Sequence, residues 1–164
     1  NAIVHKNDDP LEIGEIFDTI SVCLSKGLGC PIGSVLIGDS DIMSNALRIR
    51  KILGGGMRQA GYLASAGIYA LENNINRLSE DHQRAHEIGE VLVKSRYVKS
   101  VEKIETNIVI FELNKEINEM SFIDKLNSLN IKLISMGSNK LRLVTHINYT
   151  NIHHEYFLSS IKSL

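Results

Sequence analysis

The sequence predicts a mixed α/β chain in two parts: an α/β segment over residues 1–74 and a small α+β domain with an antiparallel sheet over residues 75–164. Three observations predict it. An apolar run ending in a glycine-rich loop, Val22-Cys23-Leu24-Ser25-Lys26-Gly27-Leu28-Gly29-Cys30-Pro31-Ile32-Gly33, reads as a strand, a reversal and the approach to a second strand. The pair Asn73-Asn74 marks a junction, and a charged amphipathic helix follows it. After Ser95 the apolar period changes from helical spacing to short strand-like runs, with helices between and after them. Helices gathered on one side of a small antiparallel sheet make an α+β domain.

Taken in order, residues 1–17 are a polar lead-in, with His5 to Pro10 a loop and Asp9-Pro10 the start of a short helix over Leu11 to Ile16. Asp18 to Leu24 is a buried strand and Ser34 to Ile37 a second, with the Gly-Cys-Pro-Ile-Gly turn reversing the chain between them. Asp39 or Ser40 caps a helix running to Leu53. Gly54-Gly55-Gly56 must end it, because three interior glycines would cost about 3 kcal/mol against alanine. Met57 to about Asn73 is a helix rich in Ala and Gly, suited to close packing or a subunit contact. Ile75 to about Ser95 is the amphipathic bridge, with Leu78, Ala85, Ile88 and Leu92 on its apolar face. Val98 to Val101 and Asn107 to Leu113 read as strands, Phe122 to Leu129 as a helix, Lys132 to Ile134 and Leu141 to Val144 as strands, and Tyr149 to Ser163 as a closing helix capped by Thr150 or Asn151.

Composition excludes several classes of function. A formal charge of -1 over 164 residues gives no footprint for nucleic acid or an anionic membrane. No apolar run approaches a spanning length, and the first residues lack the basic and apolar regions of a signal peptide. Two cysteines, Cys23 and Cys30, flank the glycine-rich loop, and reduced thiols in a cytoplasmic protein suit them.

The residues that can carry chemistry are few. Lys26 stands at the end of an apolar run. Desolvation there would lower its pKa and free the amine to attack a carbonyl, as a Schiff-base lysine must; a strand followed by Ser-Lys-Gly is also an ordinary loop. Ser25 can bond a phosphate or cap the turn. Lys51 and Arg58 bracket the triple glycine, where backbone N–H groups at a helix start and two cations would suit a phosphate; a glycine helix stop with solvated charges is the alternative. Arg142 lies in the apolar run Leu141 to Val144 and needs a partner, either a carboxylate held bidentately or, on an edge strand, water. His82 and His86 share a helix face at the zinc-protease spacing, but the position after His82 is Gln83 rather than glutamate, and His153-His154 lacks a third ligand, so no metal is expected.

Ser25-Lys26-Gly27-Leu28, Pro31-Ile32-Gly33-Ser34-Val35-Leu36 and Arg50-Lys51-Ile52-Leu53-Gly54-Gly55-Gly56-Met57-Arg58-Gln59-Ala60-Gly61, continuing through Thr106-Asn107 to Leu141-Arg142-Leu143-Val144-Thr145-His146, closely resemble the low-specificity L-threonine aldolases. These are fold-type I enzymes of the β-eliminating lyase group that use pyridoxal 5'-phosphate. The resemblance implies cleavage of L-threonine or L-allo-threonine to glycine and an aldehyde, with another amino-acid β-eliminating lyase as the alternative within the same chemistry. It implies Lys26 as catalytic lysine, Ser25 and Arg58 as cofactor-binding residues, and Arg142 and Lys51 as substrate-binding residues. His146 either orients Arg142 or lies on the loop. In such enzymes an Asp-Gly-Ala-Arg segment precedes an Asn-Ala pair, and this chain opens on Asn1-Ala2. The chain is therefore expected to be the C-terminal half of a longer homodimeric or homotetrameric enzyme: the end of the large domain plus all of the small one. The other half would supply the aspartate on the pyridine nitrogen, the stacking histidine, a Gly-Thr phosphate turn and a second arginine for the substrate carboxylate. The 164 residues alone would then be a folded piece without more than trace aldolase activity.

Overall fold

The computed structural model describes residues 1–164, which divide into two compact units, Ile3–Leu78 and Ser79–Leu164 with Asn1–Ala2. In the first unit come α1 (Ala2–Lys6), α2 (Pro10–Ile16), β1 (Thr19–Cys23), β2 (Ser34–Gly38), α3 (Ser40–Ile52) and α4 (Gly61–Asn73). The second holds α5 (Leu78–Val93), β3 (Val98–Val101), β4 (Ile108–Leu113), α6 (Glu119–Ser128), β5 (Ile134–Gly137), β6 (Lys140–Val144) and α7 (Asn151–Ser163). No helix is long and apolar enough to cross a membrane.

In the first unit β1 and β2 form an antiparallel pair in which Val22 faces Val35 and Thr19 faces Gly38. The reversal expected from the glycine-rich loop is there, but the buried strand is not. Ile20 and Val22 are half-buried, all of β2 is exposed, and the buried apolar core of the unit is Leu24, Cys30 and Ala70. The stretch 2–6 is helical rather than a loop, although it buries nothing. Asp9 caps α2, its carboxylate accepting the Leu11 N–H at 2.9 Å, with Pro10 in the first turn. The second long helix starts at Gly61 rather than Met57, because Gln59 sits at φ 53°, outside the helical region.

In the second unit the sheet order is β3-β4-β6-β5 and every pairing is antiparallel. Side chains alternate across it. Val109, Phe111 and Leu113 of β4 and Leu141 and Leu143 of β6 join Ala85, Ile88 and Leu92 of α5, Phe122 and Leu126 of α6, and Phe157 and Ile161 of α7 in one core. A Cβ at Gly89 would run into the Ile104 side chain, so the bare residue lets α5 lie close. The strand expected at Lys132 to Ile134 lies further on, at Ile134–Gly137. Ile131 is instead buried, its N–H bonded to the Leu126 carbonyl at 3.0 Å. Ser138 and Asn139, at φ 54° and 59°, then make the two-residue hairpin turn into β6; both central residues of that turn type need positive φ. Thr150 caps α7 through a capping box in which the His153 ring takes the place of the usual Glu or Gln.

Candidate active site

The loop between β1 and β2 is fixed while its lysine is free. The Leu24 N–H donates to the Gly33 carbonyl at 2.9 Å and the Cys30 N–H to the Leu24 carbonyl at 3.1 Å, closing the loop at its base. Inside it, the Gly29 N–H reaches the Lys26 carbonyl at 2.9 Å, a tight turn that Gly29 permits at φ 76°. Helix α4 pins the loop from one side. Leu24 and Cys30 pack with Ala70, Cys30 Sγ lies 3.5 Å from the Ala66 carbonyl, and Asn74 Nδ2 donates to the Leu28 carbonyl at 2.7 Å. Gly67 makes room: a Cβ there would stand 3.2 Å from Leu24 Cδ1.

Lys26 and Ser25 are exposed at the tip of this pinned loop. The shelter expected for the amine is absent within its unit, where the buried cluster is only Leu24, Cys30 and Ala70. No carboxylate lies within ion-pair distance of Lys26, so its Nζ is uncommitted.

The triple glycine is a helix stop. The N–H groups of Leu53, Gly54 and Gly55 return to the carbonyls of Ile49, Lys51 and Arg50, and Gly54 takes φ 88°. The Gly54 and Gly55 N–H groups are thus spent on the helix end and do not form a phosphate cradle. Lys51, in the last turn of α3, suits the negative end of the helix dipole. Arg58 follows on an exposed stretch. No hydrogen bond or ion pair joins Lys51, Arg58, Ser25 and Lys26 to one another.

Arg142 belongs to the second unit. It sits on β6, an interior strand, so the edge-strand reading fails. Its cross-strand neighbours are Ile110 and Ile134, on the sheet face opposite Leu141 and Leu143. The side chain is half-buried, and no group of the chain bonds or pairs with its guanidinium. A cation between two isoleucines without a counter-charge is poised for a carboxylate.

Asn107, just before β4, and Thr145, just after β6, are structural. Asn107 Nδ2 donates to the Thr145 carbonyl at 2.8 Å, the Thr145 N–H to the Asn107 carbonyl at 3.0 Å, and Thr145 Oγ1 to the Asp81 carbonyl at 2.7 Å, all buried. They lock the end of β6 to the start of β4 and to α5. His146 does not touch Arg142; its Nδ1 accepts the Asn148 N–H at 3.2 Å, which places it on the loop.

Sequence reasoning missed one cluster. His154 Nε2 donates to Glu87 Oε2 at 2.7 Å, while Tyr149 Oη and His154 Nδ1 are hydrogen-bonded at 3.2 Å. Burial pushes the Tyr149 phenol well up, so it stays protonated. Arg84 ties the same corner together, donating to the Tyr149 carbonyl at 3.0 Å and to Asn151 Oδ1 at 2.8 Å. Nothing in the local sequence pairs positions so far apart; only their place on adjoining helices does.

Comparison with known proteins follows the same lines. The chain is 42% identical over 148 residues to a low specificity L-threonine aldolase of Escherichia coli K12, which covers 90% of this chain and 43% of the relative. It is 33% identical over 167 residues to a probable low-specificity L-threonine aldolase of Arabidopsis thaliana, covering all of this chain and 47% of that protein. The chain thus spans under half the length of these relatives. Among solved structures it superimposes with a TM-score of 0.79 on a protein from Exiguobacterium provisionally described as an aromatic amino acid β-eliminating lyase/threonine aldolase, at 17% identity, over 99% of this chain and 49% of that one. A provisionally described L-allo-threonine aldolase from Listeria monocytogenes follows at 0.76 and 18%, over 99% of this chain and 48% of that one. These likenesses establish the mixed α/β fold of fold-type I pyridoxal-phosphate enzymes. Residues 1–116 match the sequence profile of the β-eliminating lyases, and the chain belongs to that family.

Proposed function

We propose that the chain forms the lysine-bearing part of a pyridoxal-phosphate-dependent threonine aldolase, which cleaves L-threonine or L-allo-threonine to glycine and an aldehyde. The observation that carries the reading is an uncommitted lysine on a loop held at both ends and from α4. A Schiff-base lysine needs this: a fixed backbone, and an amine with no ion pair to surrender first. The donor set present suits part of the cofactor, since Lys26 can take its aldehyde carbon and Ser25 and Arg58 offer a hydroxyl and a cation for its phosphate. When bound, the cofactor supplies the electron sink that breaking a Cα–Cβ bond requires.

The chain's own residues do the rest by holding. Arg142 binds the substrate α-carboxylate, with Ile110 and Ile134 as its cross-strand neighbours. Lys51 is a further cation for substrate. In the overall reaction the β-hydroxyl gives up its proton, the Cα–Cβ bond breaks, and Cα receives a proton to leave glycine. No residue of this chain is assigned as the base.

The domain division near residue 74, the cytoplasmic setting and a homodimeric or homotetrameric assembly belong to the same proposal. Tyr62, Ile68 and Tyr69 on α4, and Ile49, Ile52 and Leu53 around the end of α3, expose apolar surface that an assembly would cover. The exposure of Lys26 favours a second reading for the polypeptide by itself, a folded piece without more than trace activity.

Borohydride reduction of the full-length enzyme tests the proposal. It should leave a pyridoxyl tag on Lys26, and Lys26→Ala should lower glycine formation from threonine on the order of a thousandfold or more. A tag on another residue, or full turnover by Lys26→Ala, overturns the assignment. Release of pyruvate and ammonia from serine, with no aldehyde from threonine, would move the enzyme to the β-eliminating lyases proper.

A further inference from the structure

We propose that a cavity of about 240 Å³ at the end of β6 is a binding site for a small carboxylate with an apolar body. Its walls are Ile88 of α5, Ile131 before β5, Leu143 of β6 and Phe157 of α7. Three residues that also line it, Lys132, His146 and His153, carry the donors that set its chemistry.

Both imidazoles are fixed in one tautomer. The Asn148 N–H donates to His146 Nδ1 at 3.2 Å, and the Thr150 N–H donates to His153 Nδ1 at 3.2 Å. A backbone amide can only donate, so in each neutral ring the proton sits on Nε2. Neither Nε2–H finds an acceptor in the chain, and the Lys132 ammonium has neither a hydrogen bond nor an ion pair. The hydroxyls that could have served them are engaged. Thr145 Oγ1 bonds the Asp81 carbonyl, Tyr149 Oη bonds His154, and Tyr156 Oη bonds the Leu129 carbonyl. No Asp or Glu lines the cavity.

Lys132, His146 and His153 are exposed and their donors are solvated in the free chain. Three such donors, one of them a cation, with no acidic group among the lining residues, suit an anion that replaces that water, and hydrocarbon walls suit an apolar body behind it. A carboxylate takes two donors on its oxygens in the geometry that ring N–H and ammonium groups prefer. An inorganic phosphate would meet the donors but leave the walls unused. Arg142 is not among the lining residues, so this site recruits donors that the aldolase reading leaves idle.

The test is titration of the 164-residue chain with benzoate, followed through the ring-proton resonances of His146 and His153. Benzoate should shift both saturably. Benzamide removes the charge, acetate removes the body, and inorganic phosphate replaces the head; each should bind about tenfold weaker or worse. Lys132→Gln should weaken benzoate about tenfold, and so should His153→Gln, in which glutamine keeps the capping box while the ring donor is lost. Equal binding of benzoate and benzamide, or of benzoate and acetate, overturns the proposal. So does the absence of a saturable shift while the amide spectrum of residues 79–164 stays dispersed, or unchanged affinity in both variants.

Discussion

The two units of this chain have similar apolar content and hold together very differently. Residues 79–164 enclose fourteen buried apolar side chains in one contiguous cluster, whereas residues 3–78 enclose three. The first of these cores joins three helices to one face of a four-stranded sheet; the second joins a loop to a single helix. Leu36, Ile37, Leu47, Ile52 and Leu53 in the smaller-cored unit are as apolar as anything in the other, yet this chain leaves them exposed. Apolar content alone therefore says nothing about where stability resides. What counts is whether the chain supplies both walls of the core.

That contrast can be broken by experiment. Its largest consequence is in hydrogen exchange: amides of β4 and β6 should exchange on the order of a hundredfold or more slowly than those of β1 and β2, because the first need global opening and the second only local opening. Equal protection of the two sheets would refute the contrast. Next in size, Phe111→Ala should cost about 3–5 kcal/mol in a urea melt, while Leu53→Ala, at the exposed end of α3, should stay within about 0.5 kcal/mol.

A pH effect should likewise be confined to the larger core. The Gln83 amide and the His154 ring both donate to Glu87 and hold its carboxyl below its ordinary value. A carboxylate with a depressed folded pKa adds stability that is present above its unfolded pKa and lost as pH falls through the folded one. Glu87→Gln should therefore flatten the acid side of the stability curve and leave β1 and β2 unaffected, as urea midpoints across that range will show. The smallest effect concerns caps. Asn118→Ala, which removes the Oδ1 acceptor of the Ser121 N–H on α6, should cost about 1 kcal/mol; Asp9→Ala should not move the global midpoint, because α2 buries nothing.

How much of this was legible in the sequence follows the same divide. In residues 75–164 the strand and helix periods were plain, because Val109, Phe111 and Leu113 alternate and Ile88 and Leu92 recur at helical spacing, each facing a wall that the chain provides. The slip at β5 came from the turn: Ser138-Asn139 dictates the register, and Ile131, which resembles strand, serves as a plug. In residues 1–74 the hairpin and the glycine stop could be read locally, but the exposure of β1 and of Lys26 could not, since burial depends on what lies opposite. Arg142 could be found as a misplaced charge in an apolar run; that its strand is interior required the pairing with both β4 and β5. The Glu87–His154 pair joins residues too distant in sequence for any pattern to connect.

The missing methyl at Gly67 acts as a ruler. With only hydrogen there, α4 can rest against Leu24, and Leu24 is the residue from which the lysine loop departs. Alanine would ask Leu24 Cδ1 to retreat by a few tenths of an ångström, at the residue two positions before the lysine. One absent carbon on a helix thus sets how closely that helix approaches the base of the lysine loop.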